Sequence, residues 1–547
     1  SKPKGSSTPR SPTLPLVLSV MGGSICRALC CRQGEDGDAL DLLPQEEQQQ
    51  RRNRCCEGRQ KWAERIVEDY FKLKASCTDR MNVSFMMWMS CGGFPRTNPS
   101  ERVIDFMVEP SPIVKGLQLL QPVAASDSGA REALRAALSG GEKVIVGSVR
   151  MGYGHHRIAY SALTWAQEMG KVPYLLDVLS PDCIEAQIVK NMDKQYSRMS
   201  RLASRLGGVV DAIWGSMTLK GDLNMLRFMM LLCQKIRPIM AGIPRDVPII
   251  STHPIIGNMA IACGFKKVIN LVFDNYPQYF VIVPGALNLV QTPSYFDKLL
   301  DMGCPASSLK FAGHWVSHDL CANTVADCEA RIKRCGKTDL PRRFLVAIGG
   351  AGAQRAFLEE FLKGMTDTLK RRRARLFVNC GDHTHIAEAV VKRLQALNLE
   401  WDEVTTGEGT EEICQKQPLQ AISEPAEWKP VTLFRFTSHF DAFRCTDLAI
   451  RIADVLVTKP SELAFFPVPK LHIRRVGAHE AFSAVRAGEL GDGTVECRTV
   501  PIAMRKVGQL LEERSPLFLL MNQCIINAAQ TRIYEGSRVA CECAFSS

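Results

Sequence analysis

Two glycine-rich turns, each leaving an apolar run and opening a helical one, stand roughly 200 residues apart, and this repeat constrains the fold more than any other feature. The first passes from Lys143-Val144-Ile145-Val146 into Gly147, Gly152 and Gly154, then His155-His156-Arg157 and a helical stretch from Ile158 to Met169. The second passes from Phe344-Leu345-Val346-Ala347-Ile348 into Gly349, Gly350 and Gly352, then a helix from Arg355 to Leu369. Glycine lets a backbone approach a phosphate closely, and the N–H groups at a helix start attract anions. Two such units predict an α/β chain of two Rossmann-like domains whose parallel sheets face a central cleft. The first turn offers imidazoles to that cleft and the second a phosphate cradle, a division that points to group transfer from a nucleotide rather than to hydride transfer.

At 547 residues and 46% hydrophobic, the chain is long enough for two ordinary domains with extensions. The expected organisation is a disordered or targeting segment over 1–60, a helical extension over 61–140, a first Rossmann-like domain over 141–335, a second over 336–500 and a helical segment over 501–547. Further strands are expected at Val172 to Val178, Val247 to Ser251, Lys267 to Phe273 and Ala286 to Gln291, then at Leu376 to Cys380, Val431 to Phe436, Val455 to Thr458 and Leu471 to Arg474. The charged stretch Arg331 to Arg343 reads as the link between the halves, and Met504 to Gln530 as helical. Leu223 to Met240 reads as a core helix in preference to one dipping into a lipid interface.

The net charge of +11 fits an acidic partner, either a nucleotide sugar or an anionic membrane surface. Nucleic acid is not expected, because the basic residues are dispersed and no recognition-module pattern accompanies them. The 21 cysteines include no paired C-x-x-C knuckles, which suits a reducing compartment. His314, His318 and Cys321 have ligand-like spacing but no second cluster, so no metal is expected. No apolar run is long enough for a membrane span, so the protein can lie on a membrane but is not expected to cross one; the expected location is membrane-associated, on a cytoplasmic or plastid-type face. Met21-Gly22-Gly23-Ser24-Ile25-Cys26, with Cys30-Cys31 beyond, reads as a lipidated terminus if translation starts at Met21.

Gly349 to Gln354 is a phosphate-loop candidate because strand, loop and helix follow in the right order. It is not a Walker loop, and Arg355 takes the place of a dinucleotide fingerprint's third glycine. In Thr458-Lys459-Pro460-Ser461-Glu462, proline suits a helix start and Glu462 falls in the first turn, where its carboxylate would accept two ribose hydroxyls. Gly477-Ala478-His479-Glu480 occupies another strand-to-helix turn, placing His479 and Glu480 near sugar hydroxyls. In the first half, the His155 imidazole is placed to take the proton of an attacking hydroxyl, with His156 pointing elsewhere. His253 and Asp274 end strands, where open α/β sheets bind ligands.

In this order the motifs resemble the two-domain GT-B glycosyltransferases, in the lineage of monogalactosyldiacylglycerol synthase and the bacterial peptidoglycan lipid N-acetylglucosaminyltransferase. Thr252-His253-Pro254 is similar to the synthase's Val-His-Pro, Val378-Asn379-Cys380-Gly381 to its Val-Cys-Gly, and Thr458-Lys459-Pro460 matches Thr-Lys-Pro. Phe436-Thr437 resembles the uracil-binding turn. The resemblance covers about 143–494, with Ser461 where a glycine is expected and His314-Trp315-Val316-Ser317 where Leu-Pro-Val-Arg is expected. It implies inverting transfer of a hexose from a UDP-sugar to a lipid or membrane-associated acceptor, diacylglycerol-like for preference, with no cofactor or metal. His155 would be the base, with Asp274 and His253 positioning the acceptor or the base. Gly349, Gly350, Gly352, Phe436, Thr437, Lys459, Ser461, Glu462, His479 and Glu480 would hold the donor. A UDP-sugar 2-epimerase and an inactive binding protein are the alternatives.

Overall fold

The computed structural model describes residues 103–546 apart from 112, 113, 115, 124–128, 152, 207–222, 338, 349–353, 422, 425 and 426, all within the unit Glu64–Ser547. The expected 1–60 segment and the Met21 motif therefore lie outside the described residues, as do Gly152, Gly349, Gly350 and Gly352.

Eight strands make the first sheet: β1 (Phe106–Pro110), β2 (Gln118–Pro122), β3 (Lys143–Ser148), β4 (Val172–Asp177), β5 (Ile249–Ser251), β6 (Val268–Leu271), β7 (Leu287–Val290) and β8 (Leu309–Phe311). Their order is β1-β2-β4-β3-β5-β6-β7-β8, and among the described residues only the β1–β2 pair is antiparallel. The described part of 61–140 is thus not wholly helical, a correction to the expectation: short apolar runs extend the sheet, and helix appears only at Ala130–Ala137. The second sheet holds β9 (Arg342–Ala347), β10 (Ala374–Asn379), β11 (Trp401–Val404), β12 (Val431–Phe434), β13 (Val455–Thr458) and β14 (Lys470–His472), all parallel in the order β11-β12-β10-β9-β13-β14. Parallel strands covered on both faces must be apolar throughout. Accordingly β3 is buried from Val144 onward, and β10 and β13 along their whole length. Two mainly parallel α/β domains are what the paired glycine turns predicted.

Helix α1 (Gly154–Glu168) lays Ile158, Ala159, Ala162 and Leu163 on Val144, Val146 and Ile250 of the first sheet. Helix α2 (Leu223–Ile236) buries Met229, Leu232, Cys233 and Ile236 against α3 (Pro254–Cys263), so its apolar face belongs to the core. The chain passes between the halves over 312–317, earlier than the Arg331 to Arg343 stretch expected to link them. Ala312 and Trp315 pack with the first core, whereas Val316, Leu320 and Cys328 pack with Leu345 and Phe377 of the second. Most of α4 (His318–Cys335) therefore serves the second half, and Arg331 and Arg334 at its end are buried. The acidic stretch 400–424 supplies β11, the helix Gly407–Lys416, and Glu424, which meets Arg334, Arg343 and Arg375 at 3.4, 2.7 and 3.1 Å. The region read as helical from Met504 to Gln530 is two helices, Val500–Leu510 and α5 (Pro516–Gln530). Ser515 restarts the second by accepting a hydrogen bond from Phe518 N at 3.2 Å, with proline at the next position. Finally α6 (Gly536–Phe545) returns to the first half and packs on α1, where Ser161 and Ser537 hydroxyls lie 2.5 Å apart. Among the described residues no helix is long and apolar enough to cross a membrane.

Candidate functional site

Each sheet has a point where chain order reverses. In the first, β4 lies on one side of β3 and β5 on the other; in the second, β10 and β13 flank β9. Ligands of open α/β sheets bind beyond the strand ends at such switch points. Here the two face one another: a Cβ built on Gly154, at the start of α1, would lie 3.3 Å from Oε2 of Glu462, which follows β13.

His155, next along α1, is half-buried. Its Nδ1 lies 2.9 Å from the Thr252 carbonyl oxygen. A carbonyl only accepts, so Nδ1 carries the proton and Nε2 keeps a lone pair. The rings of His253 and Phe273 approach edge-on at 4.7 and 4.6 Å. Burial, helped by the neighbouring His156, pushes the imidazole down to about 4 against the opposing pull of the Thr252 carbonyl and Glu462, so it is neutral near pH 7. His253 has the other tautomer. Its Nδ1 accepts from Ile255 N at 3.1 Å, capping α3, and burial followed by the nearby His155 holds it well below 6.5. Asp274 accepts from Tyr276 N and Gln278 Nε2, both at 3.3 Å. Burial raises its carboxyl above the ordinary value, with Glu480 adding to the rise and His479 opposing it. Beside it, Asn275 Nδ2 donates to Phe482 O of the other half at 3.2 Å.

In the second half, Glu480 is occupied. It pairs with Lys459 and accepts from Val476 N at 2.7 Å and Gly477 N at 3.3 Å. Burial alone would raise its carboxyl, but Lys459 and His479 hold it below the ordinary value. Ser461 precedes the short 3-10 helix Glu462–Phe465 without a side-chain cap. The Phe436 side chain is buried and its N–H donates to Gly381 O at 2.8 Å, while Thr437 is exposed. The glycine loop over 349–353 lies outside the described residues.

Several boundary residues carry no sequence signal of their role. Arg157 donates to Asp447 at 3.2 Å and Thr446 at 3.3 Å, and Ser317 donates to Asp447 at 2.9 Å. Tyr153 bonds Asp382, which also pairs with Arg150 at 2.8 Å. The partners of Arg157 and Tyr153 lie 290 and 229 residues downstream, so no local spacing announces them. Arg157, Phe273, Trp315, Glu462, Phe465 and Phe466 line one small pocket between the halves. His156 points to the other flank of α1, with Nδ1 3.1 Å from Ser148 Oγ, Nε2 3.6 Å from Asp177, and its ring 5.0 Å from that of His439. His314 and Cys321 make backbone contacts in different directions, to Phe465 O and Tyr534 O, and among the described residues no three potential ligands converge on a metal position.

Two family models match the chain, both described as domains of unknown function: DUF6937 over residues 99–298 and DUF6938 over 304–545. No curated protein matches it in sequence. Among solved structures it is similar to a UDP-GlcNAc 2-epimerase from Neisseria meningitidis bound to UDP-GlcNAc, with TM-score 0.40, 11% identity, and 72% of this chain and 98% of that one covered. It is also similar to an α,α-trehalose 6-phosphate synthase from Burkholderia multivorans, with TM-score 0.37, 10% identity and coverage of 74% and 98%. A third is the glycosyltransferase SnogD from Streptomyces nogalater, with TM-score 0.33, 11% identity and coverage of 73% and 98%.

Proposed function

We propose that the cleft transfers a hexose from a UDP-sugar to an acceptor hydroxyl with inversion at the anomeric carbon. The observation that carries this reading is the meeting of the two switch points with the unprotonated Nε2 of His155 beside them. The acceptor oxygen bonds to the anomeric carbon as the bond to the diphosphate breaks. The electron pair leaves with UDP, and the acceptor proton passes to Nε2. The donor would be held by the 349–353 loop with the start of the helix Arg355–Lys370, where backbone N–H groups meet phosphate charge, and by the Phe436-Thr437, Lys459-Ser461 and His479-Glu480 turns. A lipid or membrane-associated acceptor, diacylglycerol-like for preference, is supported by the sequence resemblance and the net charge of +11.

The test is turnover of a panel of labelled UDP-sugars with membrane lipid extract. His155→Ala should lower kcat by about 10²–10⁴-fold with UDP affinity unchanged, as loss of a general base requires. Unchanged kcat in a folded variant refutes the assignment. A second reading, UDP-sugar 2-epimerisation, is favoured by Asp274, a buried carboxyl raised above its ordinary value by burial and adjoining the Asn275–Phe482 contact between the halves. An epimerised UDP-sugar formed without acceptor selects it.

A further inference from the structure

We infer that Glu462 is the charge partner of His155, a carboxylate supplied by the second half to stabilise the imidazolium that forms in the first half when the acceptor proton arrives. This deepens the transfer reading and rests on it. It also gives Glu462 a task other than binding ribose hydroxyls.

The geometry points one way. The Glu462 carboxylate abuts the residue immediately before His155, with Oε2 and Cδ 3.3 and 3.4 Å from a Cβ built on Gly154. It lines the same small pocket as Phe273, whose ring packs edge-on against His155. Among the described residues no hydrogen bond or ion pair engages this carboxylate, whereas Glu480 is saturated by Lys459, Val476 N and Gly477 N. Of the two, Glu462 is free to respond to charge appearing on the imidazole.

The other groups around His155 do not supply that response. His253 donates no negative charge, and its N-cap bond fixes its proton on Nε2, while His156 is directed to Ser148 and Asp177. Arg157 lines the same space, but its positive charge is matched by Asp447. The Thr252 carbonyl fixes the tautomer and leaves Nε2 to the substrate side. Burial lowers the basicity of His155, and the Thr252 carbonyl followed by the Glu462 carboxylate pulls against that fall.

A structural consequence follows. The base sits on α1 and its counter-charge after β13, so proton removal is effective only while the halves are together, held by Arg157–Asp447 and Tyr153–Asp382.

The experiment replaces the carboxylate by its uncharged isostere, Glu462→Gln, and follows the His155 ring in the full chain by histidine-selective isotope-labelled NMR between pH 7.5 and 5. With a midpoint of about 4, about a tenth of His155 is protonated at pH 5 in the parent. Loss of the carboxylate should lower the midpoint by about one unit, leaving about a hundredth protonated. UDP affinity should stay within about twofold and kcat fall about tenfold, equivalent to about 1.4 kcal/mol. Glu462→Asp, which keeps the charge but retracts it, should give an intermediate shift and guards against a folding defect in the glutamine variant.

If the His155 signal is unmoved in both variants, the pairing is wrong. If it is unmoved and UDP binds tenfold more weakly, Glu462 holds the ribose. The titration needs no substrate, so absence of any UDP-sugar turnover would refute the transfer reading while leaving the pairing to be decided by NMR.

Discussion

Replacing His314 by glutamine should make the protein less sensitive to acid. His314 is fully buried in the crossing between the halves, where Nδ1–H donates to Phe465 O at 3.2 Å and Nε2 has no partner among the described residues. A second proton would be placed on an atom with no acceptor. Burial, with Arg486 and Lys470 adding to it, pushes the imidazole down to about 3 from 6.5. The unfolded chain therefore binds a proton that the folded chain refuses, so stability is full above pH 6.5 and is lost as pH falls from there toward about 3. Between pH 8 and pH 5 this one residue should remove about 2 kcal/mol. Glutamine can keep the donor to Phe465 O but gives up ring contacts with Phe465 and Tyr534, at 4.9 and 5.7 Å, worth about 1–3 kcal/mol at any pH. The variant should thus be weaker than the parent at pH 8 and close to it at pH 5. Asp447, pushed up to about 6 by burial, contributes in the opposite sense, but it is present in both proteins and cancels in the difference. Urea unfolding at half-unit steps from pH 8 to 5 measures that difference. Parallel stability curves, separated equally at both ends, would falsify the assignment of a neutral buried His314.

Asp447→Asn removes the charge that faces Arg157 and should cost about 3–5 kcal/mol, the usual consequence of leaving one member of a buried pair behind, read as a lower thermal midpoint. A midpoint within 1 °C of the parent would show that the pair does not hold the halves. Gly381 has φ of +60°, and a Cβ there would run into Tyr153 Oη and lie 3.0 Å from its ring carbons. Gly381→Ala should therefore cost about 1–3 kcal/mol in denaturant unfolding, with Tyr153→Phe recovering only part of it because the ring carbons still collide.

Both switch-point turns were legible because strand, glycine and helix stand close together in sequence, and the local chemistry of glycine and of apolar runs is enough to mark them. Val455–Thr458 was readable for the same reason, as four apolar or β-branched residues before a Lys-Pro turn. What the sequence hid are residues whose meaning is a distant partner. Glu462 reads as a first-turn carboxylate, and only the approach of Gly154 shows what it faces. Glu424 ends a stretch rich in acidic residues, yet it is buried beside three arginines from elements that spacing does not relate. The crossing at 312–317 was missed because its residues, Gly313-His314-Trp315, are neither charged nor proline-rich. They are buried by α5, the turn after it and the first sheet, and a linker packed on all sides has the composition of a core.

The return of α6 to the first half bears on how the protein is made. Ala540, Cys541 and Ala544 complete the apolar layer over Val144, Ile158 and Ala162, and Cys541 reaches Ala162 O at 3.4 Å across 379 residues of chain. Domains emerging from a ribosome usually finish in order, the first folding while the second is synthesised. Here the leading domain has an open, apolar-lined face on α1 until some 380 further residues have been translated, roughly 20–75 seconds at ordinary elongation rates. Throughout that interval the uncovered face is a surface for chaperones or for aggregation, and the first half is completed only after the second has been made.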